Sequence, residues 1–303
     1  MVIGFTAAAQ EKFSLNGYIR DSLTGETLIA ANLSIKGVGR GVSSNSYGFY
    51  SITLEKGQYT LICSFAGYQS KTFVWNFDSN QQQDIKLLPS SAVLNDVTVV
   101  GRRRDNNVKT AQMGKFDLNV NTAKALPAFL GEVDILKTLQ LLPGVRNAGE
   151  GNAGFYVRGG GPDQNLIMLD DAVVYNTGHL FGFFSVFNSD AVKNVSLIKG
   201  GMPAQYGGRL SSVIDVSMKD GNNQKTEVDA GIGLISSRFA IQGPLKKNKA
   251  SYMISARRTY IDALIKPFIK PTNQFYGSGY YFYDLNAKFN WQLGSKDKLF
   301  VSG

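Results

Sequence analysis

A chain of 303 residues with 43% hydrophobic and 18% charged side chains has the composition of a folded protein of two or three domains. Its single cysteine, Cys63, excludes a disulfide framework and cysteine-built metal or iron–sulfur sites, and its single histidine, His179, excludes two-histidine metal motifs. The net charge of +9 is uneven, +1 over 11–89, +3 over 90–115, −2 over 116–221 and +7 over 222–303. That excess lies in short turns and between apolar residues rather than on one module with stacking aromatics, so no nucleic-acid partner is expected. With 33 Gly, 14 Tyr and 19 Phe beside 8 Pro, the chain is predicted to be mainly β.

Residues 1–10 are small and apolar, end in Ala7-Ala8-Ala9-Gln10 and lack a positive start, as the remnant of a signal peptide would. Export follows as an expectation. No stretch of 18 apolar residues occurs, so a membrane crossing would use strands. Residues 13–89 alternate in short runs, 13–20, 33–36, 49–54, 59–66, 71–77 and 83–88, with turn chemistry between them. The spacing predicts an antiparallel β-sandwich. Its residues Gly17-Tyr18-Ile19-Arg20-Asp21, Thr24-Gly25-Glu26, Asn45-Ser46-Tyr47-Gly48-Phe49-Tyr50, Gly57-Gln58-Tyr59 and Ala66-Gly67-Tyr68 resemble the carboxypeptidase regulatory-like domain. That resemblance implies a transthyretin-like sandwich without catalytic zinc.

Residues 90–115 read as a linker. Within it 94–101 (Leu-Asn-Asp-Val-Thr-Val-Val-Gly) is an isolated β-prone run followed by Arg102-Arg103-Arg104. A strand without a hairpin partner leaves its backbone groups unpaired, so it either edges the sandwich or pairs with another protein. The run resembles a Ton box, the segment by which TonB-dependent outer-membrane receptors add a strand to a periplasmic energy-coupling protein. By that resemblance Asp96, Val97, Thr98, Val99 and Val100 bind TonB through β-augmentation.

Residues 116–221 mix patterns. Apolar positions 135, 136, 139 and 142 predict a helix stopped by Pro143-Gly144. Phe155-Tyr156-Val157-Arg158 reads as a strand, and runs 166–169 and 172–175 flank a two-residue turn at Asp170-Asp171, where Gly is the usual second residue. Strands follow at 195–198 and 213–218. Gly159-Gly160-Gly161 precedes Pro162 and no Gly-Lys-Ser/Thr, which argues against a nucleotide site. The ordered set 134–145, Val157-Arg158-Gly159-Gly160, 165–176 and 200–216, with Gly207-Gly208-Arg209 inside it, resembles the plug domain of TonB-dependent receptors. Arg158 and Arg209 are expected to be buried ion-pair partners rather than ligand contacts. The aromatic run 179–187 is read as core or as packing against a barrel.

From 222 onward the alternation lengthens. Val228, Ala230, Ile232 and Leu234 are in one phase and Phe239 and Ile241 in the other, with the slip at 235–237 marking a turn. A third run sets Ala250, Tyr252, Ile254 and Ala256 opposite Ser251, Met253, Ser255 and Arg257. In 280–293 odd positions are Tyr281, Tyr283, Leu285, Ala287, Phe289, Trp291 and Leu293, and even positions after Phe282 are Asp284, Asn286, Lys288, Asn290 and Gln292. Ten steps of ~3.3 Å, tilted by ~40°, rise about 25 Å, the height of an outer-membrane apolar band. These are predicted to be the first strands of an incomplete transmembrane β-barrel, since a plugged barrel needs about 22 strands and 222–303 hold four and the start of a fifth. The reading therefore expects a piece of a longer sequence. Short turns 246–249 and 294–298, carrying Lys246, Lys247, Lys249, Lys296 and Lys298, are placed in the periplasm, and the long segment 259–279 outside the cell.

The resemblance implies an outer-membrane receptor that imports a scarce ligand, a ferric siderophore or similar, with a SusC-like glycan importer as the close alternative. A surface adhesion or signalling protein is the alternative from another class. Implied partners are the TonB complex, outer-membrane lipids and an extracellular ligand, with a lipoprotein lid left open. No catalytic residue, metal site or cofactor is expected.

Overall fold

A computed structural model describes residues 11–90, 114–124, 132–149, 154–179, 182–268, 271, 279–294 and 297–303. The leading segment 1–10 and the run 94–101 lie outside these residues. The chain divides into two compact units, 1–95 and 96–303.

Eight strands are described in the first unit: β1 (Lys12–Asp21), β2 (Asn32–Ile35), β3 (Gly41–Ser43), β4 (Phe49–Glu55), β5 (Gly57–Ser64), β6 (Lys71–Phe77), β7 (Gln81–Gln82) and β8 (Ile85–Leu87). They form two sheets, β4-β1-β7 with β8 also on β1, and β3-β2-β5-β6. Alternation explains the sandwich. In β4, Tyr50, Ile52 and Leu54 are buried and Ser51, Thr53 and Glu55 exposed, the period of a strand with one face on a core. Leu33, Leu61 and Cys63 of the facing sheet are completely buried in the same cluster. Its turns are built from side chains: Asn45 Oδ1 accepts from the amides of Tyr47 and Phe49. Gly48 completes that turn at φ +75°, where a Cβ would lie 2.5 Å from Thr27 Cβ.

The second unit begins with a mixed sheet. Its strands are β9 (Lys115–Asn119), β10 (Val145–Asn147), β11 (Phe155–Val157), β12 (Asn165–Leu169), β13 (Ala172–Val173), β14 (Gly178–His179), β15 (Phe184–Ser185), β16 (Val192–Ile198) and β17 (Ser212–Met218). The order is β13-β12-β17-β16-β9, with β12 and β17 parallel and the other neighbours antiparallel. The small hairpins β10–β11 and β14–β15 stand apart from it. The turn between β12 and β13 is the expected two-residue one, and Asp170 and Asp171 both take positive φ, 45° and 68°. The predicted helix is Ile135–Gln140. Asp134 caps it, Oδ1 accepting from the amides of Leu136 and Lys137, and Ile135, Leu136 and Leu139 pack on Leu118, Val195, Leu197, Ile214 and Val216.

A five-stranded antiparallel meander follows in sequence order: β18 (Glu227–Ile232), β19 (Ser236–Lys246), β20 (Ala250–Thr259), β21 (Tyr283–Gln292) and β22 (Lys298–Ser302). One face of β20, Ser251, Met253, Ser255 and Arg257, is buried. Leu285, Phe289 and Trp291 of β21, with Phe239, Leu299 and Val301, are exposed on the other face of the sheet. The connector enters this sheet closely: Gly221 takes φ +85°, and a Cβ there would lie 2.3 Å from the Tyr252 carbonyl oxygen. Among the described residues no helix is long and apolar enough to cross a membrane, a statement that does not bear on strands.

Candidate functional site

Two features of the second unit carry chemistry, a cleft in the mixed-sheet region and a seam of ion pairs where that region meets the meander. The cleft has a volume of about 560 Å³. Its polar lining comes from Asp163, Tyr175, Asn176, Thr177, Arg209 and Tyr280. Positions follow from the strands: Asp163 lies in a turn entering β12, residues 175–177 leave β13, and Arg209 precedes β17.

The seam has three nodes. In the first, Arg257 of β20 is 4% exposed and sets Nη2 2.6 Å from Asp284 Oδ2 and Nη1 3.5 Å from Glu132 Oε2. Nη2 also donates to the Ser185 carbonyl at 2.7 Å. His179 Nε2 lies 2.6 Å from the other oxygen of Asp284, and its ring stacks on Phe282 at 4.1 Å. The Ser236 hydroxyl donates to Glu132.

In the second node Lys288 of β21, buried, lies 3.0 Å from Asp170 and 3.2 Å from Asp220 and donates to the Met218 carbonyl. Asp220 also lies near Lys193 and Lys298. Burial alone would raise the Asp220 carboxyl, but the charges of Lys193, Lys288 and Lys298 outweigh it and hold it well below the usual carboxylate range. In the third, Asp190 is buried between Lys124 at 2.7 Å and Arg238 of β19 at 3.2 Å. Burial pushes this carboxyl up and Lys124 and Arg238 bring it down further, leaving it lowered.

Asp215, inside the mixed sheet, behaves oppositely. Burial, followed by the charge of Asp171, pushes its carboxyl up to about 6 against the weaker pull of Lys115.

The sequence-derived residues are distributed as follows. Asp96, Val97, Thr98, Val99 and Val100 lie outside the described residues. Arg158, Gly159 and Gly160 form the turn leaving β11, and Ser211, two residues after Arg209, joins it by donating to the Val157 carbonyl at 2.8 Å. A Cβ at Gly160 would lie 2.5 Å from Ser211 Oγ. Gly207, Gly208 and Arg209 are exposed. Arg158 and Arg209 are exposed as well, which differs from the buried ion pairs expected of them. The reason is local. Arg158 sits in a left-handed turn, φ +47°, so its side chain leaves along the surface over Gly200, whereas Arg209 reaches the cleft.

The buried arginine is Arg257, which sequence reasoning placed on the polar face of its strand without assigning it a role. The signal was available: Arg238, Arg257 and Lys288 are cations on inward faces of alternating strands, where each needs a carboxylate partner. Much of the basic excess of 222–303 is matched locally, since Lys225, Arg238, Arg257, Lys288 and Lys298 are engaged by carboxylates.

Comparison with known proteins agrees with the two-part division. Residues 15–100 match the CarboxypepD_reg-like domain and residues 112–213 the TonB-dependent receptor plug domain. Among curated proteins, TonB-dependent receptor P26 of Formosa agariphila is 28% identical over 228 residues, covering 70% of this chain and 22% of that protein. TonB-dependent receptor SusC of Bacteroides thetaiotaomicron is 24% identical over 233 residues, 71% of this chain and 22% of its own length. The chain thus spans about a fifth of the length of these relatives. Among solved structures, the siderophore receptor PirA of Acinetobacter baumannii is 20% identical with a TM-score of 0.46, covering 63% of this chain and 31% of its own.

Proposed function

We propose that this chain, which matches the TonB-dependent receptor plug domain over residues 112–213, works as the N-terminal part of an outer-membrane receptor of that family, one that admits a scarce ligand when its plug is displaced. One observation carries the reading. The meander is two-faced, with Arg238, Arg257 and Lys288 paired to Asp190, Glu132 and Asp170 of the plug on one side and Leu285, Phe289 and Trp291 exposed on the other. An apolar outward face is suited to lipid, and charged inward residues of such strands face a lumen. The Ton box at 96–100 precedes β9, which among the described residues pairs within its sheet with β16 alone. Force applied at 96–100 would therefore load an edge strand first. The N-terminal sandwich would stand on the periplasmic side with the TonB complex, and a lipoprotein lid would act at the opposite face.

For the ligand, the cleft presents hydrogen-bonding groups and one charge of each sign, Asp163 and Arg209. That lining supports a neutral, hydroxyl-rich ligand, as for a SusC-like glycan importer, over an anionic ferric siderophore. Adhesion or signalling without transport gains no support from either feature.

Expressed at full length, the protein is expected in the outer-membrane fraction. Phe289→Arg should deplete it there, because an arginine on the lipid face costs roughly 2–4 kcal/mol near the bilayer midplane. Val97→Pro should abolish cross-linking to TonB by removing a strand hydrogen bond. A wholly soluble full-length protein would overturn the reading. Titration of purified receptor with oligosaccharides and with ferric siderophores separates the two ligand classes.

A further inference from the structure

The outward face of the meander ends in cations. Cross-strand partners share a face of a sheet, and the register sets Lys246, Ala250, Trp291 and Leu299 in one row across β19, β20, β21 and β22. Beside it runs the row Gly243, Tyr252, Phe289 and Val301, so the face is apolar up to the row that holds Lys246. A bulge between Pro244 and Lys246 brings the lysine there; with unbroken pairing Leu245 would stand opposite Ala250. Lys246, Trp291 and Leu299 are all exposed in that row.

Beyond the row the chain turns through Lys247, Asn248 and Lys249. Asn248 takes φ +62°, its amide donates to the Asn223 carbonyl at 3.2 Å, and the Lys249 carbonyl accepts from the Gln292 amide at 2.7 Å. The turn is thus fastened on one side to the segment leading into β18 and on the other to β21. At this end Lys225 pairs with Glu227 at 2.9 Å, Lys298 lies 4.0 Å from Asp220 and over the Phe300 ring, and Asp297 is exposed in the neighbouring turn. Among the described residues, Lys246, Lys247 and Lys249 are exposed and pair with no carboxylate. At the opposite end of the same face the cation Arg258, across from Tyr283, lies over the Tyr281 ring at 5.4 Å.

We propose that Lys246, Lys247 and Lys249 bind the headgroup phosphate of an anionic phospholipid. The inference rests on the reading of the meander as membrane-spanning. An apolar face in lipid ends at the headgroups, where tryptophan is at home and where a lysine lays its alkyl stem along hydrocarbon while its ammonium reaches the phosphates. Lys246 stands at that boundary, in the row of Trp291, and Lys247 and Lys249 lie one step further out. Three ammonium groups on a fastened turn, without internal partners, form a cationic surface continuous with the apolar face. An anionic lipid satisfies both parts at once, acyl chains against the apolar rows and phosphate against the lysines, whereas a soluble acidic partner would meet only the second.

The test is titration of the full-length protein, purified in a non-ionic detergent, with phosphatidylglycerol or with phosphatidylcholine, read as lipid-bound species by native mass spectrometry. Phosphatidylglycerol should be held more tightly. Lys246→Gln combined with Lys247→Gln and Lys249→Gln should lower that preference roughly a hundredfold, at about fivefold for each lysine at an anionic surface. The same variant should remain in the outer-membrane fraction, because its apolar rows are intact. Lys12→Gln with Lys71→Gln and Lys86→Gln removes equal charge from exposed positions of the sandwich and should leave the preference unchanged. No preference in the wild type, its retention in the first triple variant, or equal loss in both overturns the proposal while the membrane reading stands. A wild-type protein absent from the outer-membrane fraction overturns the membrane reading and this inference with it.

Discussion

The interior of the sandwich and the seam of the second unit are both buried, but they are made of different materials. Leu15, Leu33, Tyr50, Leu61 and Phe77 close the sandwich with apolar surface. Its buried Asp21 serves a local turn, accepting from the amides of Leu23 and Thr24. Between the mixed sheet and the meander the buried side chains include Glu132, Asp190, Asp220, Arg257 and Lys288. An apolar core separated from its partner exposes surface that water penalises at roughly 25 cal/mol per Å². Charged groups separated from each other recover hydration, which offsets much of the Coulombic loss. Separating the seam therefore forfeits less per buried group than separating the sandwich core.

Removing one charge is the most damaging way to test this contrast. Arg257→Ala leaves Glu132 and Asp284 buried without their guanidinium and should cost about 3–5 kcal/mol, read as a lower denaturation midpoint and lost protection in 183–186 and 283–292. Removing the whole node, Arg257→Met with Glu132→Gln and Asp284→Asn, should restore most of that loss. Were the triple variant as unstable as the single one, the seam would be ordinary core and the contrast would fail.

Leu61→Ala makes the corresponding cut in the sandwich. A completely buried leucine truncated to alanine should cost about 2–5 kcal/mol. The loss is expected in amides of 11–90 and not in those of 192–218, because each unit has its own cluster.

Titration separates groups inside the second unit. Asp190 and Asp220 have lowered folded pKa values, so their contribution is present above the unfolded carboxylate value and is lost as pH falls through the folded one. Asp215, raised to about 6, has the opposite sign. Between its ordinary value and about 6 the folded state holds the extra proton, so stability declines as pH rises through that window. Asp215→Asn should therefore stabilise the unit above pH 6 by ~2 kcal/mol and remove that decline, as urea midpoints across the pH range would show.

How much of this was legible in the sequence follows from what each pattern encodes. Period-two alternation in 49–54 and 281–293 marks which face is buried, and the strands formed there. Apolar positions 135, 136, 139 and 142 with a Pro143-Gly144 stop mark a helix, which forms as Ile135–Gln140. The short helix Val120–Lys124 and β9 were not anticipated, the latter because Phe116 and Leu118 alternate over only five residues beside a polar linker. Partner choice is harder. Arg257 could be placed on the polar face, but its partners are 125 residues upstream at Glu132 and 27 downstream at Asp284. Nothing local fixes either. Arg158 was misjudged because its exposure depends on a left-handed turn that a non-glycine residue rarely adopts.

The smallest expected effect probes the point where core and seam share a residue. Asp134 uses one oxygen to cap the helix Ile135–Gln140 and the other to accept from the Ser185 amide. Asparagine is as good an N-cap as aspartate, but its amide nitrogen cannot accept a hydrogen bond. Asp134→Asn should therefore leave the helix within a few tenths of a kcal/mol while the Ser185 amide loses protection. Asp134→Ala should lose both, costing about 1 kcal/mol in the helix. Hydrogen exchange at 136–139 and at 185 reads the two roles independently. Loss at both places in the asparagine variant would mean that helix and hairpin are one cooperative unit, and that the seam cannot open without loosening the core beneath it.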